Sequence, residues 1–490
     1  MKLNALLSAW VGGESDIDVT GLALDSRKVI FGHVFIALAG FNQHGLLYAQ
    51  QAIDQGACAI VYDPAENGLT LAAKIKGLPL IAIVDLGLKL GEIASRFYGF
   101  PSQKIDVIGI TGTNGKTSCS HFLSQLLDDC AIIGTLGWGE RGALRETINT
   151  TPDALSVQQM LFELLGNDKK TVAMEVSSHA LAQGRVNGIC FKGVVFTNIS
   201  RDHLDYHGTM DAYLQAKLIL LDKPGIGFAV VNLDDPYVNK VIARIPGSVM
   251  TWGISATGRI LPGMECVWVK DMYHDAEGIG FTVNWRTNAQ AIHVPLYGDF
   301  NVENILATLA VSLAMGSDLI GLAHKLHFIK PVAGRMEPLG GGLLPLVFVD
   351  YAHTPDALEK VLASVRKHCQ GDLWVVFGCG GNRDTGKRSQ MGNIAEQWAD
   401  YVIVTDDNPR FEASSAIVED IIQACQSNKI QAIQNRKDAI HQAVINATAI
   451  DCIVVAGKGH ETYQEIEGVR MPFSDRQVVM DALNMRLVNL

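Results

Sequence analysis

No two of the nine cysteines stand in a CxxC pair; they are scattered singly through 490 residues, several inside apolar runs such as CIVVA and ACAIV. That spacing excludes a disulfide framework and a thiol redox motif, and it fits a reducing, cytoplasmic compartment. No run of about 18 apolar residues occurs, which excludes a membrane-spanning helix. At the N-terminus, MKLNALLSAWVGGES carries one lysine and an apolar stretch broken by Asn4 and Ser8, so no signal peptide is expected. The charge balance is short of cations: a formal charge of −11 and a pI near 5.7 give no general attraction to nucleic acid or to anionic membranes. Any anionic ligand must be held by local groups. Internal repeats with a period of about 20 to 50 residues and low-complexity tracts are also missing.

What is present is a chain that is 48% apolar and 19% charged, long enough for two to four packed domains. Short apolar runs alternate with helical spacing in a βαβ rhythm, the pattern of parallel sheets covered by helices. The expected fold class is α/β with three domains. Residues 1–88 form a small N-terminal α/β domain. Residues 89–333 form a central parallel-sheet domain, with an antiparallel appendage where CVWVK, GFTVNW and AIHVP alternate. After the glycines of VAGRMEPLGGG, residues 334–490 form a C-terminal Rossmann-like domain.

The segment VIGITGTNGKTSCSHFL reads as a strand, a glycine-rich turn, and Lys116-Thr117 opening a helix. Backbone N–H groups in such a turn cradle phosphate, the lysine reaches the terminal phosphates, and the hydroxyl suits Mg²⁺. The spacing GxxxxGK[ST] fails by one position because Ile110 stands in the first glycine slot, although the mechanics are kept by Gly112 and Gly115. A second segment, GNRDTGKR, satisfies the GxxxxGK spacing but puts Arg388 in place of the hydroxyl and Asp384 inside the cradle, so it reads as a decoy. The strand TVAMEVSSH ends in Glu175, which suits Mg²⁺ beside Thr117. His203 and His207, four residues apart, are open to three readings: zinc ligands, a histidine beside the Mg²⁺–phosphate cluster, or plain hydrogen-bonded side chains. In VTDDNPRF the acids, the amide and Pro409 suit a turn, leaving Arg410 spare.

Taken in order, TGTNGKTS, NTTPDA, MEVSSHAL, FTNISRDHLDYHG, GDFNVEN, GRME, VDYAHTPDALE, GCGGNRD, TDDNPR and GKGHETYQ closely resemble the Mur ligases. Within that family they resemble the branch that adds the third residue of the peptidoglycan stem peptide. The resemblance runs from Leu24 to the C-terminus. It implies an N-terminal domain gripping a uridine diphosphate, a central ATPase domain and a C-terminal domain binding the incoming amino acid. It also implies a cytoplasmic enzyme with ATP as co-substrate and Mg²⁺ as cofactor, taken here as a monomer.

Carried over by matching blocks, Leu24, Ser26, Phe41, Asn42 and Gln43 lie at the uridine diphosphate. Asn149, Thr150, Thr151, Ser177, Gln183 and Arg185 hold the muramoyl-dipeptide. Gly112, Thr113, Asn114, Gly115, Lys116, Thr117 and Ser118 bind ATP, joined by Asn301, Arg335, Asp350 and His353. Lys217 matches a lysine that the family carbamylates, and with Thr117, Glu175 and His203 it completes the metal set. Lys116, Lys217, His203 and Glu175 are the implied catalytic residues. Arg383, Asp407, Asn408, Pro409, Arg410, Gly457 and Glu461 match the site for meso-diaminopimelate, whose distal carboxylate suits the planar guanidinium of Arg410. Two relatives within the superfamily compete, an L-lysine-adding enzyme and a folylpolyglutamate synthetase. A phosphate-loop switch or motor is the reading from another class.

Overall fold

The fold was obtained as a computed structural model, which describes residues 1–12, 17–40, 43–275, 277–423, 425–426 and 429–488. Phe41 and Asn42, expected at the uridine diphosphate, lie outside the described residues.

The apolar runs of the middle of the chain become the strands of one sheet. Strand Asp106–Thr111 lies near its centre, paired in parallel with Phe191–Phe196 on one side and Thr171–Glu175 on the other. From Thr171–Glu175 the sheet continues to Cys130–Gly134 and the short antiparallel Gly137–Gly139. On the other side follow Phe228–Asn232 and Met250–Ser255, both parallel. Its strands are buried on both faces, as continuous Val/Ile runs require when helices cover both sides. The alternating segment after Met264 forms the expected antiparallel appendage, and it extends the edge of the same sheet. Glu265–Asp275 pairs in parallel with Met250–Ser255, and Gly278–Trp285 and Asn288–Val294 follow, so the same sheet reaches ten strands. Val267, Val269, Phe281 and Val283 face helix Asp299–Ala314 in one core, and that burial ties the hairpins to the sheet.

Four parallel strands form the N-terminal sheet. The expected boundary at residue 88 falls inside helix Leu86–Phe97, and Leu86, Leu90, Ile93 and Ala94 of that helix belong to the N-terminal core. Heptad-like apolar spacing continues past residue 88, so packing carries the first unit through the helix. The C-terminal sheet runs in the order Glu337–Gly340, Leu346–Asp350, Cys452–Ala456, Leu373–Phe377, Tyr401–Val404, Ile430–Ala432, parallel except for its first strand. That antiparallel edge strand comes from the glycine-rich segment that marks the expected start of the C-terminal domain. Among the described residues no helix is long and apolar enough to cross a membrane.

Parallel strands bring their carboxyl ends to one edge, which is where ligands bind in such sheets. In the C-terminal sheet this edge gathers Asp350, Gly457, the loop 378–385 and the segment 405–411 from four separate parts of the chain.

Candidate functional site

The strand Asp106–Thr111 ends in the glycine turn, and helix Lys116–Leu126 starts at its far side with Gly115 at the N-cap. Gly115 has φ of +87°, and a Cβ there would lie 2.4 Å from Asn304 Oδ1, so conformation and space both demand glycine. Lys116 curls over the turn and donates from Nζ to the carbonyls of Gly112 at 2.8 Å and Thr113 at 3.0 Å. Burial pulls its pKa below the ordinary lysine value. The Thr117 hydroxyl donates to Glu175 Oε2 at 2.9 Å, and Glu175 is closed to solvent. Thr135, a residue that sequence reasoning passed over, gives Glu175 two more bonds, from its backbone N–H at 2.9 Å and its hydroxyl at 3.0 Å. Its polar side chain at the end of the apolar strand CAIIG was the available signal.

Lys217 is 1% exposed; its Nζ donates to the carbonyl of Gly112 at 2.8 Å and lies 4.4 Å from the Tyr213 ring centre. Burial, with the Lys116 charge next in weight, holds its pKa well below the ordinary value. His203 has φ of +53°, with Nε2 3.4 Å from Asp202 Oδ2, and burial lowers its pKa. Its ring stacks edge-on to His179 at 4.8 Å, while His207 bonds Ser178 Oγ at 3.0 Å. These two histidines therefore point into an aromatic cluster rather than at one centre, and no group of three or more His, Cys, Asp or Glu fit for a metal ion occurs among the described residues. This counts against zinc. The Thr117 hydroxyl and Glu175 carboxylate, hard oxygens side by side at the phosphate turn, do fit Mg²⁺, which usually takes one or two carboxylates and completes its shell with water and phosphate.

A cleft of about 450 Å³ opens from the turn towards the C-terminal unit. Residues 113–118, Thr135, Thr150, Glu175 and His203 line one side, and Arg335, Asp350, Tyr351 and His353 line the other. Arg335 spans the gap: its Nη2 is 3.5 Å from Thr117 Oγ1, and its guanidinium lies 4.4 Å from the Tyr351 ring centre. Asp350 takes the backbone N–H groups of Met336 and Ala352, both at 2.7 Å, and burial raises its pKa. It thus fastens the Arg335 segment rather than facing the cleft alone. His353, its pKa lowered by burial, bonds the Tyr351 carbonyl at 2.8 Å. Asn301 departs from expectation: it is buried behind Asn304, with its amide on the Tyr297 carbonyl at 2.8 Å, and does not line the cleft.

Beside the cleft, Thr151 is fully buried and accepts from Ser177 N at 3.0 Å, while Arg185 donates to the Thr151 carbonyl at 2.9 Å and to Gln183 Oε1 at 2.6 Å. Asn149 is exposed next to them. Leu24, Ser26 and Gln43 sit apart on the N-terminal unit, where Ser26 Oγ bonds Gln51 at 2.7 Å and Gln43 accepts from Tyr48 at 2.7 Å.

At the edge of the C-terminal sheet Arg410 has φ of +53°; its Nη1 donates to the Gly381 carbonyl at 2.7 Å and its Nε is 3.4 Å from Glu465 Oε2. Arg383 is exposed in the adjoining loop. Asn408 Nδ2 donates to Glu461 Oε2 at 3.0 Å, and Asp407 is buried beside Gly457. Pro409 carries the chain between them, its carbonyl 2.0 Å from where a Cβ on Gly381 would stand.

Fold and turn together define a three-part α/β protein whose glycine turn opens onto a cleft between its central and C-terminal units. Three family descriptions match the chain: "Mur ligase family, catalytic domain" over residues 18–98, "Mur ligase middle domain" over 110–312 and "Mur ligase, glutamate ligase domain" over 334–459. The chain belongs to the Mur ligase family. A relative from Alkalilimnicola ehrlichii, named UDP-N-acetylmuramoyl-L-alanyl-D-glutamate--2,6-diaminopimelate ligase, is 44% identical over 99% of both chains. One of the same name from Pseudomonas aeruginosa is 44% identical over 99% of this chain and 98% of its own. A solved structure titled with that enzyme name has a TM-score of 0.72 at 33% identity, covering 99% of each chain. A folylpolyglutamate synthase from Mycobacterium tuberculosis has a TM-score of 0.63 at 17% identity over 76% of this chain and 92% of its own, a likeness of fold.

Proposed function

We propose that the chain is an ATP-dependent ligase of cytoplasmic peptidoglycan precursor synthesis, joining meso-2,6-diaminopimelate to the D-glutamate carboxylate of UDP-N-acetylmuramoyl-L-alanyl-D-glutamate. The observation that carries this reading is the full-length likeness to relatives of that name, at 44% identity over 99% of both chains. The geometry supports it: Lys116 and Thr117 on one side of the cleft face Arg335 on the other.

In this reading a carboxylate oxygen of the nucleotide substrate attacks the γ-phosphorus of ATP. The bond to the bridging oxygen breaks, giving ADP and an acyl phosphate. The uncharged amine of diaminopimelate then attacks the acyl carbon, and as the amide forms the phosphate leaves and takes up the proton lost from nitrogen. Carboxylate and triphosphate repel each other, so positioning and cations carry the rate. Lys116 neutralises the terminal phosphates from the central unit and Arg335 reaches them from the C-terminal one. Thr117 and Glu175 would hold Mg²⁺, with His203 at the rim of the same cleft and Lys217 joining as an anion once carbamylated, and the bound ion would add positive charge at the phosphates. Burial lowers the pKa of Lys217 and so favours its neutral form; the lone pair of that form can add to CO₂ with loss of a proton, which would turn the side chain into the carbamate anion. Intact-mass measurement under CO₂ should show the added carboxylate.

Gln183, Arg185 and the buried Thr151 would seat the muramoyl-dipeptide, with the N-terminal unit on the uridine diphosphate. Arg410 would clamp the distal carboxylate of diaminopimelate through two parallel bonds, and Glu461 would accept its ammonium. L-Lysine lacks that carboxylate and leaves Arg410 unused, which disfavours the lysine-adding alternative. The test is ADP release with the UDP substrate and meso-diaminopimelate, L-lysine or L-ornithine in parallel. Turnover should need diaminopimelate; equal turnover with lysine would overturn the assignment.

A further inference from the structure

Lys458 has no part in the roles set out so far. It follows strand Cys452–Ala456 in the segment GKGHE and is 0% exposed. Burying an ammonium is costly unless it is paired and hydrogen-bonded, and a site that needed only bulk would take an apolar side chain. Here the charge is met from three sides. Lys458 Nζ lies 3.0 Å from Glu461 Oε2, donates to Asn408 Oδ1 at 3.0 Å and stands 3.6 Å from Asp407 Oδ1. Asn408 closes the ring by donating to the same Glu461 oxygen at 3.0 Å. Among the described residues Asp407 Oδ1 has no hydrogen-bond partner although it is buried. The neighbouring pair Arg436 and Asp475, bonded at 2.7 Å, is neutral by itself.

We infer that Lys458 is the positioning residue of the amino-acid pocket, setting Asp407, Asn408 and Glu461 as one array. Two carboxylates share one ammonium, so the array keeps one negative charge, complementary to the cationic end of an incoming amino acid. Without Lys458 Asp407 and Glu461 lose the cation that both contact and Asn408 loses its donor, so the side chains are free to part. The acceptor array is then lost while the phosphate turn, on another unit, is untouched. This rests on the reading of the pocket as the amino-acid site.

Steady-state constants for all three substrates in Lys458→Gln and Lys458→Met test it. KM for diaminopimelate should rise at least tenfold, with KM for ATP and for the UDP substrate within about twofold and kcat less affected than KM. In a Glu461→Gln background the same substitution should raise KM for diaminopimelate by a clearly smaller factor than in the parent, since one of its two carboxylate partners is already neutral and only Asp407 remains. If the neutral variants do not fold, Lys458→Arg, which keeps the charge but displaces the donors, carries the same selective expectation. An unchanged KM for diaminopimelate, or an equal rise in all three constants, would overturn the inference. Arg410→Ala separates the two levels: if it too leaves KM for diaminopimelate unchanged, the pocket reading itself falls.

Discussion

Of the three glycine-lysine loops in the chain, GTNGKTS from Gly112 and GNRDTGKRS from Gly381 are built in opposite ways. In the first, the turn holds no acid, Lys116 folds over its carbonyls, and Thr117 turns to Glu175 at 2.9 Å. In the second, Asp384 Oδ1 takes the N–H of Gly386 at 2.9 Å, so the loop satisfies itself where a phosphate would sit. Lys387 leaves the loop for the His353 carbonyl at 2.7 Å. Arg388, 2% exposed, turns inward to Glu412 and Asp420, both at 2.8 Å. What the second loop offers is its backbone: Gly381 accepts from Arg410 and donates to the Asn408 carbonyl at 2.9 Å. The first loop keeps its turn free of acids, and the second seats an arginine. The difference shows that a glycine-lysine spacing specifies a turn, whereas the residues next to it decide what the turn faces.

The largest test of that contrast is Lys116→Ala. Removing a preorganised charge at the transferring phosphate costs on the order of 10² to 10³ in rate, so ADP release should collapse while calorimetric binding of the UDP substrate persists. Near-normal turnover would mean that the first loop is no phosphate site. Arg388→Ala acts on the other loop and on a different quantity. Arg388 is itself buried but Glu412 and Asp420 keep water, so losing its charged hydrogen bonds should lower the unfolding free energy by about 2 kcal/mol, read by denaturant titration. A melt matching the parent would refute the internal role.

A matched pair of glycine substitutions sharpens the comparison further. A Cβ on Gly115 would stand 2.4 Å from Asn304 Oδ1, and one on Gly381 would stand 2.0 Å from the Pro409 carbonyl. Gly115→Ala should raise KM for ATP and spare diaminopimelate, whereas Gly381→Ala should displace Arg410 and do the reverse. Losing the charged hydrogen bonds of Arg410 amounts to about 2 kcal/mol of binding, which bounds the second effect. The smallest change is Asp384→Asn, an exposed turn residue, expected to alter stability by no more than about 0.5 kcal/mol with all three KM values unchanged. A shift in the ATP constant there would reopen the second loop as a nucleotide site.

Much of this molecule was determined by sequence alone. Period and run length dictated the strands, because a parallel strand covered on both faces must be apolar throughout, as Val172, Ala173 and Met174 are. The glycine turn with Lys116 and Thr117 and the acid ending a neighbouring strand were legible for a similar reason, since their chemistry resides in residue type and short spacing. The block from Asp407 to Arg410 read by itself only as a turn with a spare arginine, and its proposed role came from the family resemblance. Tertiary structure alone decided the rest. The alternating hairpins carry no mark saying which edge they will join, so their fusion into the ten-stranded sheet was settled by packing against helix Asp299–Ala314. Asn301 and Asn304 have the same polar character, and helix rotation determines which one lines the cleft. Lys458 stands beside recognised residues, yet only the fold brings it to Asn408, fifty positions away, and shuts out the water that would otherwise screen its charge. Local chemistry is encoded by neighbours in the chain; burial and convergence belong to the whole, because they depend on what every distant segment covers.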